Sequence, residues 1–360
     1  MELNKKIAVL CDYRLMPERV GGMDRFFWLF DAECKALGHE IVWFFPNESG
    51  HEGYTNLTII AANDKSIEQT FLHHSQFYDV VFTHFLELCT PFYQQVKKQK
   101  LVTKIVAVDH NPRPFAGYPL KKRIQKRVKG LLYSRYIDLF IGVSHYTVHE
   151  IIKDFGSHLE RKSKVIYNGI AYERFKKRTD RNLQKPTFLV ACHLRYSKGL
   201  QDLIAAVALL PQSILSDLKI DVYGEGPYKN ELIRLIQNNN LEQVFQIKGS
   251  VSNLYEVYCN YDYLIHPSHE ETFCYSVIES MISNVPVITT VSPGGNVLNQ
   301  IDNNENGFLF DIKDILALSK TLNQVFQGEK TIIGDINGKI EITFSIEKMV
   351  ANYVGLISEK

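Results

Sequence analysis

His266–Val287 reads HPSHEETFCYSVIESMISNVPV. It begins where the apolar run Tyr263-Leu264-Ile265 ends, crosses a polar turn and enters an apolar helical run over Val277 to Met281. A second strand-like run, Val285–Thr289, follows. Strand, turn, helix and strand in so short a span is the pattern of a parallel sheet with a helical crossover. Two of its carboxylates matter here, Glu271 in the turn and Glu279 within the helical run. About two helical turns separate them, so both can address one ligand. Between them lies a helix N-terminus, whose unpaired amides and positive dipole end attract anions. Carboxylates able to accept from sugar hydroxyls, beside a cradle for phosphate, imply a site for a nucleotide-linked sugar.

The same alternation extends in both directions. Strand-like runs fall at Ile7–Cys11, Glu40–Phe45, Asn56–Ile60, Val80–Thr83, Ile105–Val108, Leu139–Val143 and Lys164–Tyr167. A second series falls at Thr187–Cys192, Leu218–Tyr223, Phe245–Gly249, Tyr263–His266, Val285–Thr289 and Gly307–Phe310. Segments such as Met23–Leu37 and Leu200–Leu210 between them carry apolar residues at helical spacing. The expected fold class is α/β, with two doubly wound, Rossmann-like parallel-sheet domains facing each other across a cleft. The charged run 176–186, KKRTDRNLQKP, reads as the linker. The expected division is residues 1–178, 179–343 and a last helix in 344–360 crossing back to the first domain.

Bulk properties narrow the function. A chain of 360 residues exceeds one comfortable core. The opening MELNKKIAVLCDY meets Asp12 too early for a signal peptide and reads as a first strand. No apolar run is long enough to span a bilayer. The six cysteines form no CxxC and no metal-ligand spacing, as expected of reduced, packed thiols in a cytoplasmic protein. A net charge of +1 argues against nucleic acid as a partner. Gly21-Gly22 is not a GxGxxG fingerprint, so no nicotinamide cofactor is expected. No DxD-type acidic pair appears, so no metal is expected.

An ordered set of short motifs resembles one family. Gly21-Gly22 precedes a helix ending Leu37-Gly38-His39-Glu40. Ser144 is followed by Val165-Ile166-Tyr167-Asn168-Gly169. Lys198-Gly199 follows the first strand of the second half, then Gly224-Glu225-Gly226-Pro227. Pro267-Ser268 leads into Glu271 and Glu279 at a Glu-x7-Glu spacing, followed by Pro286-Val287-Ile288, Gly294-Gly295 and Asn306-Gly307. The chain resembles the retaining glycosyltransferases of glycosyltransferase family 4, with the GT-B fold, over nearly its whole length.

The resemblance implies roles. Glu271 would meet the donor sugar's hydroxyls and Glu279 the ribose diol. The backbone from Thr272 through Phe273, Cys274 and Tyr275 to Ser276 would face the diphosphate, with Gly21 and Gly22 approaching the donor from the first domain. Lys198 would neutralise the leaving diphosphate. The family's usual arginine five positions earlier is His193 here, and Arg195 is the candidate substitute. The usual glutamate of the Gly294-Gly295 turn is Leu298. Cys274 and Tyr275 replace part of a smaller glycine-rich turn. His110, in VAVDHNPRP, would reach the sugar or acceptor, with His84 a second candidate. The implied reaction is metal-independent transfer of a hexosyl group from a UDP- or GDP-sugar to a saccharide or lipid-linked saccharide, with retention, in cell-envelope glycan synthesis. A sugar-nucleotide epimerase of the same fold and a noncatalytic nucleotide-sugar-binding protein remain alternatives.

From Lys97 to Arg135 there are twelve Lys or Arg against one acid, Asp109. Lys121, Lys122, Arg123, Lys126, Arg127 and Lys129 share one helical pattern with an apolar strip. That pattern suits a helix lying on an anionic membrane, at the inner face of the plasma membrane. A solvated helix face and capture of an anionic polymer are the competing readings.

Overall fold

The computed structural model describes residues 4–17, 21–180, 184–338 and 340–359. By contact the chain forms two compact units, one of Met1–Ile170 with Phe344–Lys360, the other of Ala171–Thr343.

The first unit holds seven strands: β1 Lys6–Cys11, β2 Glu40–Phe45, β3 Ile59–Ala61, β4 Tyr78–His84, β5 Val102–Asp109, β6 Leu139–Gly142 and β7 Ser163–Val165. Their order is β3-β2-β1-β4-β5-β6-β7, and every pairing is parallel. The central strands are almost unbroken apolar runs because helices cover both faces of the sheet. An aromatic core fills one side, where Phe26 and Phe30 of the first helix, Gly22–Ala36, meet Phe82 of β4. The last helix, Ile346–Ser358, packs into the same core through Tyr353, against Phe26, Phe30 and Phe82. Gly169 is needed where that helix arrives, since a Cβ there would lie 2.4 Å from the Ile346 Cα.

The second unit holds six strands: β8 Phe188–Ala191, β9 Ile220–Tyr223, β10 Phe245–Gly249, β11 Tyr263–His266, β12 Val287–Thr290 and β13 Gly307–Phe310. Their order is β10-β9-β8-β11-β12-β13, again all parallel. In each sheet the order reverses beside the first strand, between β1 and β4 and between β8 and β11. Ligands of such sheets bind beyond the strands' C-terminal ends at that reversal.

The charged run 176–186 begins inside the second unit. Arg178 pairs with Asp262 at 2.7 Å and donates to the Cys259 carbonyl, and Lys177 pairs with Glu341 at 2.8 Å. Hence the contacts divide the chain between Ile170 and Ala171, not at 178. Residues 181–183 of the run lie outside the described residues.

Candidate functional site

In the second unit, β8 and β11 are neighbours at the reversal, and the loops leaving them interlock. The β8 loop forms a single turn, Tyr196–Lys198, closed by Gly199 at φ +72°. A Cβ on Gly199 would lie 1.9 Å from the Pro267 carbonyl oxygen, so the two loops meet backbone to backbone. The His269 amide donates to the Ser197 carbonyl at 2.8 Å, and the His269 ring pairs with Asp202 at 2.5 Å. The Gly224–Pro227 turn supports this loop from the other side. Cβ atoms on Gly224 and Gly226 would strike the carbonyls of Cys192 and Leu194.

This framework holds Lys198 against Glu271. The Lys198 ammonium donates to Glu271 Oε1 at 2.6 Å, and His266 Nε2, at the end of β11, lies 2.9 Å from the same oxygen. Burial raises the Glu271 carboxyl, but the Lys198 charge and the His266 hydrogen bond outweigh it and bring it down to about 2. Burial pulls the Lys198 ammonium down, and Glu271 more than reverses that. Both groups are therefore charged at neutral pH. Because both bonds fall on Oε1, Oε2 is the oxygen left for a ligand.

Cys274 Sγ sits 3.1 Å from His266 Nε2. Cys274 precedes the site helix, Tyr275–Ile282, at φ +67° and ψ +69°, a left-handed conformation costly for any residue but glycine. His266, Glu271 and Cys274 offer three buried donor atoms within 4.8 Å of one another, a set able to hold a metal ion among the described residues. The Lys198 ammonium already lies on the carboxylate of that set, and burial pushes the Cys274 thiol well up, toward its protonated form. Phe273 is buried and packs edge-on to Tyr275 at 4.9 Å. The Ser276 hydroxyl donates to the Ala191 carbonyl at 2.6 Å, fastening the site helix to the end of β8. Thr272 is half-buried in the turn.

Glu279 lies further along the same helix and accepts from the Tyr258 hydroxyl at 2.8 Å. Burial raises its carboxyl, with Tyr258 opposing. Arg195 and His193 are exposed on the β8 loop, and Leu298 is half-buried and uncharged. Sequence reading missed His266 and Tyr258. For His266 the one signal was a polar residue closing an apolar run, five positions before a glutamate.

His110, Gly21 and Gly22 belong to the first unit. His110 follows β5 and His84 ends β4. Their rings meet at 3.0 Å, from His84 Nδ1 to His110 Nε2. Phe85 stacks on His110, with ring centroids 4.2 Å apart. Burial lowers both imidazoles, His110 to about 4 and His84 well below its ordinary value. The following segment is fixed by buried Arg113, which binds Asp109 at 2.6 Å, Asp154 at 2.8 Å and the Asn111 carbonyl. The Gly21 amide donates to Asp24 Oδ2 at 2.7 Å, and Tyr13 and Tyr54 donate to the same buried carboxylate. An internal carboxylate thus takes up the Gly21 amide.

The basic run forms a helix, Leu120–Tyr133. Leu120, Ile124 and Leu131 are 69%, 56% and 70% exposed, with Val128 between them, giving an apolar stripe open to solvent. Lys121, Lys122, Arg123 and Arg127 are exposed too. Lys126 instead turns inward to Asp154 at 3.0 Å, and Lys129 pairs with Glu87 at 2.6 Å. No helix among the described residues is long and apolar enough to cross a membrane.

Comparison with known proteins covers both units. Residues 20–174 match the family model "Glycosyltransferase Family 4", and residues 171–332 match "Glycosyl transferases group 1". The N-acetylgalactosamine-N,N'-diacetylbacillosaminyl-diphospho-undecaprenol 4-alpha-N-acetylgalactosaminyltransferase of Campylobacter jejuni is 28% identical over 214 residues. That match covers 59% of this chain and 55% of the relative. The 2-deoxystreptamine N-acetyl-D-glucosaminyltransferase of Niallia circulans is 27% identical over 187 residues, 49% of this chain and 46% of the relative. The chain thus spans about half the length of these curated relatives. HepE from Anabaena, solved with UDP and glucose, superposes with a TM-score of 0.78 at 16% identity, over 99% of this chain and all of that one.

Proposed function

The chain belongs to the glycosyltransferases of family 4, with the GT-B fold, and on that premise we propose that it transfers a hexosyl group from a nucleotide diphosphate sugar to a hydroxyl of a saccharide or lipid-linked saccharide. The observation that carries this reading is the Lys198–Glu271–His266 cluster at the C-terminal ends of β8 and β11. A fixed ammonium beside a helix N-terminus is suited to charge that builds on a leaving phosphate. A carboxylate held ionised at about 2 accepts from sugar hydroxyls at any physiological pH. Glu279, which accepts from the Tyr258 hydroxyl, takes the ribose diol in this reading.

In the proposed reaction the bond from the anomeric carbon to the β-phosphate oxygen breaks and a bond to the acceptor oxygen forms on the same face. The acceptor proton passes to the departing phosphate, so no separate protein base is used, and configuration is retained. Lys198, with Arg195 as its exposed neighbour, supplies positive charge without a metal. His110 is the proposed contact of the sugar or the acceptor. The donor base proposed first is uracil, since HepE was solved with UDP. N-acetylhexosamines are the first sugars to try, because the two curated relatives transfer them. The open stripe and cations of helix Leu120–Tyr133 support docking on an anionic membrane, at the inner face of the plasma membrane, and so a glycolipid acceptor for cell-envelope glycan.

The test is a thermal-shift panel of UDP, GDP and their sugars, followed by UDP release with and without saccharide acceptors. A ligand at 100 times its Kd adds about 2.7 kcal/mol of stability. Stabilisation by one nucleotide and acceptor-dependent release support transfer. A new sugar nucleotide formed without acceptor would replace transfer with epimerisation, and no shift with any nucleotide would discard the site.

A further inference from the structure

His266, Glu271 and Cys274 in the second unit form a donor set that the proposed transfer uses only in part. The three donor atoms lie within 4.8 Å of one another, and all three residues are buried. His266 Nε2 is 2.9 Å from Glu271 Oε1 and 3.1 Å from Cys274 Sγ. Ligand atoms on a tetrahedral zinc ion stand about 3.4–3.6 Å apart, so this set matches one after opening by about half an ångström. An imidazole, a thiolate and a single carboxylate select a thiophilic ion and not Mg²⁺ or Ca²⁺, which call for several oxygens.

Cys274 is held in this set against a backbone penalty. It sits at φ +67° and ψ +69°, where glycine alone is unstrained, and such positions concentrate at functional sites. What cysteine adds over glycine there is a thiol placed on His266. Charge balance permits an ion to enter. The Lys198 ammonium sits on Glu271 Oε1 at 2.6 Å. It cannot remain beside a divalent ion on the same buried carboxylate, because like charges that close repel strongly. Its side chain is 21% exposed, so it has a way out to solvent. The ammonium and the thiol proton then leave as the dication arrives. Two positive charges go out and two come in, and the buried cluster keeps its net charge. His266 gives the ion its Nε2 lone pair and keeps its one proton on Nδ1.

We propose that His266, Glu271 and Cys274 form a zinc site that takes up Zn²⁺ in exchange for the Lys198 ammonium and the Cys274 thiol proton. The ion is an inhibitor and not a cofactor. It holds the carboxylate meant for the sugar and expels the cation meant for the leaving diphosphate. Inhibition rests on the transfer reaction proposed above, whereas the site and the exchange do not.

Metal binding is read on the full chain, stripped with chelator and kept reduced, with no nucleotide present. Zn²⁺ is titrated against a chromogenic chelator, and Co²⁺ serves as its coloured substitute. A single Zn²⁺ per chain is expected, and Co²⁺ should give the near-ultraviolet charge-transfer band of a thiolate ligand. Cys274→Gly suits the left-handed backbone and should fold. It should lose the band and weaken Zn²⁺ binding by about 100-fold or more, beyond what loss of an outer partner costs. Cys259→Ser, at a half-buried cysteine outside the set, should change neither. Lys198→Met removes the competing ammonium and should tighten Zn²⁺ binding by about 10-fold or more. No band in the native chain, or native affinity in Cys274→Gly, overturns the site. Zinc affinity unchanged in Lys198→Met overturns the exchange. With free Zn²⁺ buffered, UDP release by the native chain should fall while Cys274→Gly keeps its own metal-free rate, and equal inhibition of both overturns the inhibitory role. Absence of transfer in every condition would count against the reaction and leave the metal result intact.

Discussion

Lys198 and Glu271, 73 positions apart in the chain, meet at 2.6 Å where the loops of two adjacent strands interlock. Each neutralises the other in a largely buried place, so removing either leaves an uncompensated charge. Lys198→Ala is expected to cost about 3 kcal/mol, the low end for a broken buried pair, because the lysine is 21% exposed. Glu271→Gln should cost less, since the amide oxygen still accepts from Lys198. Both should lower transfer at least 100-fold. Urea unfolding beside initial rates checks this, and full activity in both variants at native stability would remove them from the site.

Gly199 and Gly117 form a matched pair for testing the loop contact. Both have φ +72°, but a Cβ on Gly199 would meet the Pro267 carbonyl at 1.9 Å, whereas nothing lies within 4 Å of one on Gly117. Gly117→Ala should cost only the left-handed backbone penalty, about 1–2 kcal/mol. Gly199→Ala should cost clearly more and weaken UDP binding by shifting Lys198. Equal costs in the two variants would show that the loops do not depend on this approach.

Stability should fall with pH below neutrality for two separable reasons. His110 has its folded value at about 4 against 6.5, and His84 is also lowered. The unfolded chain therefore takes up protons that the fold refuses as pH drops below 6.5, and for His110 that loss ends near pH 4. Glu271 has its folded value at about 2 against 4.5. Its stabilising contribution is complete above pH 4.5 and disappears as pH falls toward 2. Urea midpoints from pH 7.5 to pH 4 should decline in the native chain and less steeply in His84→Leu. Identical slopes would show that the histidines do not carry the upper part of the decline.

The basic helix divides into two experiments. Reversing Lys121, Arg123 and Arg127 to Glu alters exposed cations, so binding to vesicles containing phosphatidylserine should weaken steeply, by about 1 kcal/mol or more per position, while the melting temperature holds. Lys126→Glu is different, because Lys126 faces Asp154 at 3.0 Å beside buried Arg113. That change should lower the melting temperature. Vesicle binding unaffected by the triple reversal would dismiss the membrane surface.

Much of the fold was legible because parallel strands buried on both faces are apolar runs, and the thirteen runs correspond to the seven and six strands. Glu271 and Lys198 were legible because a carboxylate or ammonium at a strand-to-helix turn stands out locally. Pairing across distance was not. Lys126 looks like its neighbours in KKRIQKR until the fold turns it toward Asp154. His266 reads as the last residue of a strand until the Glu271 turn folds back over it. Asp24 looks like an ordinary acid in a first helical turn, but the tyrosines that donate to it come from positions 13 and 54.

The last helix has a consequence for how the chain is made. Lys5 and Lys104 donate to its terminal carbonyls, at Ile357 and at Leu356 and Glu359, and Tyr353 completes the aromatic core around Phe26 and Phe30. The second unit is one uninterrupted stretch and can finish folding as it leaves the ribosome. The first unit is begun before the second and closed after it, holding an aromatic surface uncovered until residues 346–358 are free of the exit tunnel.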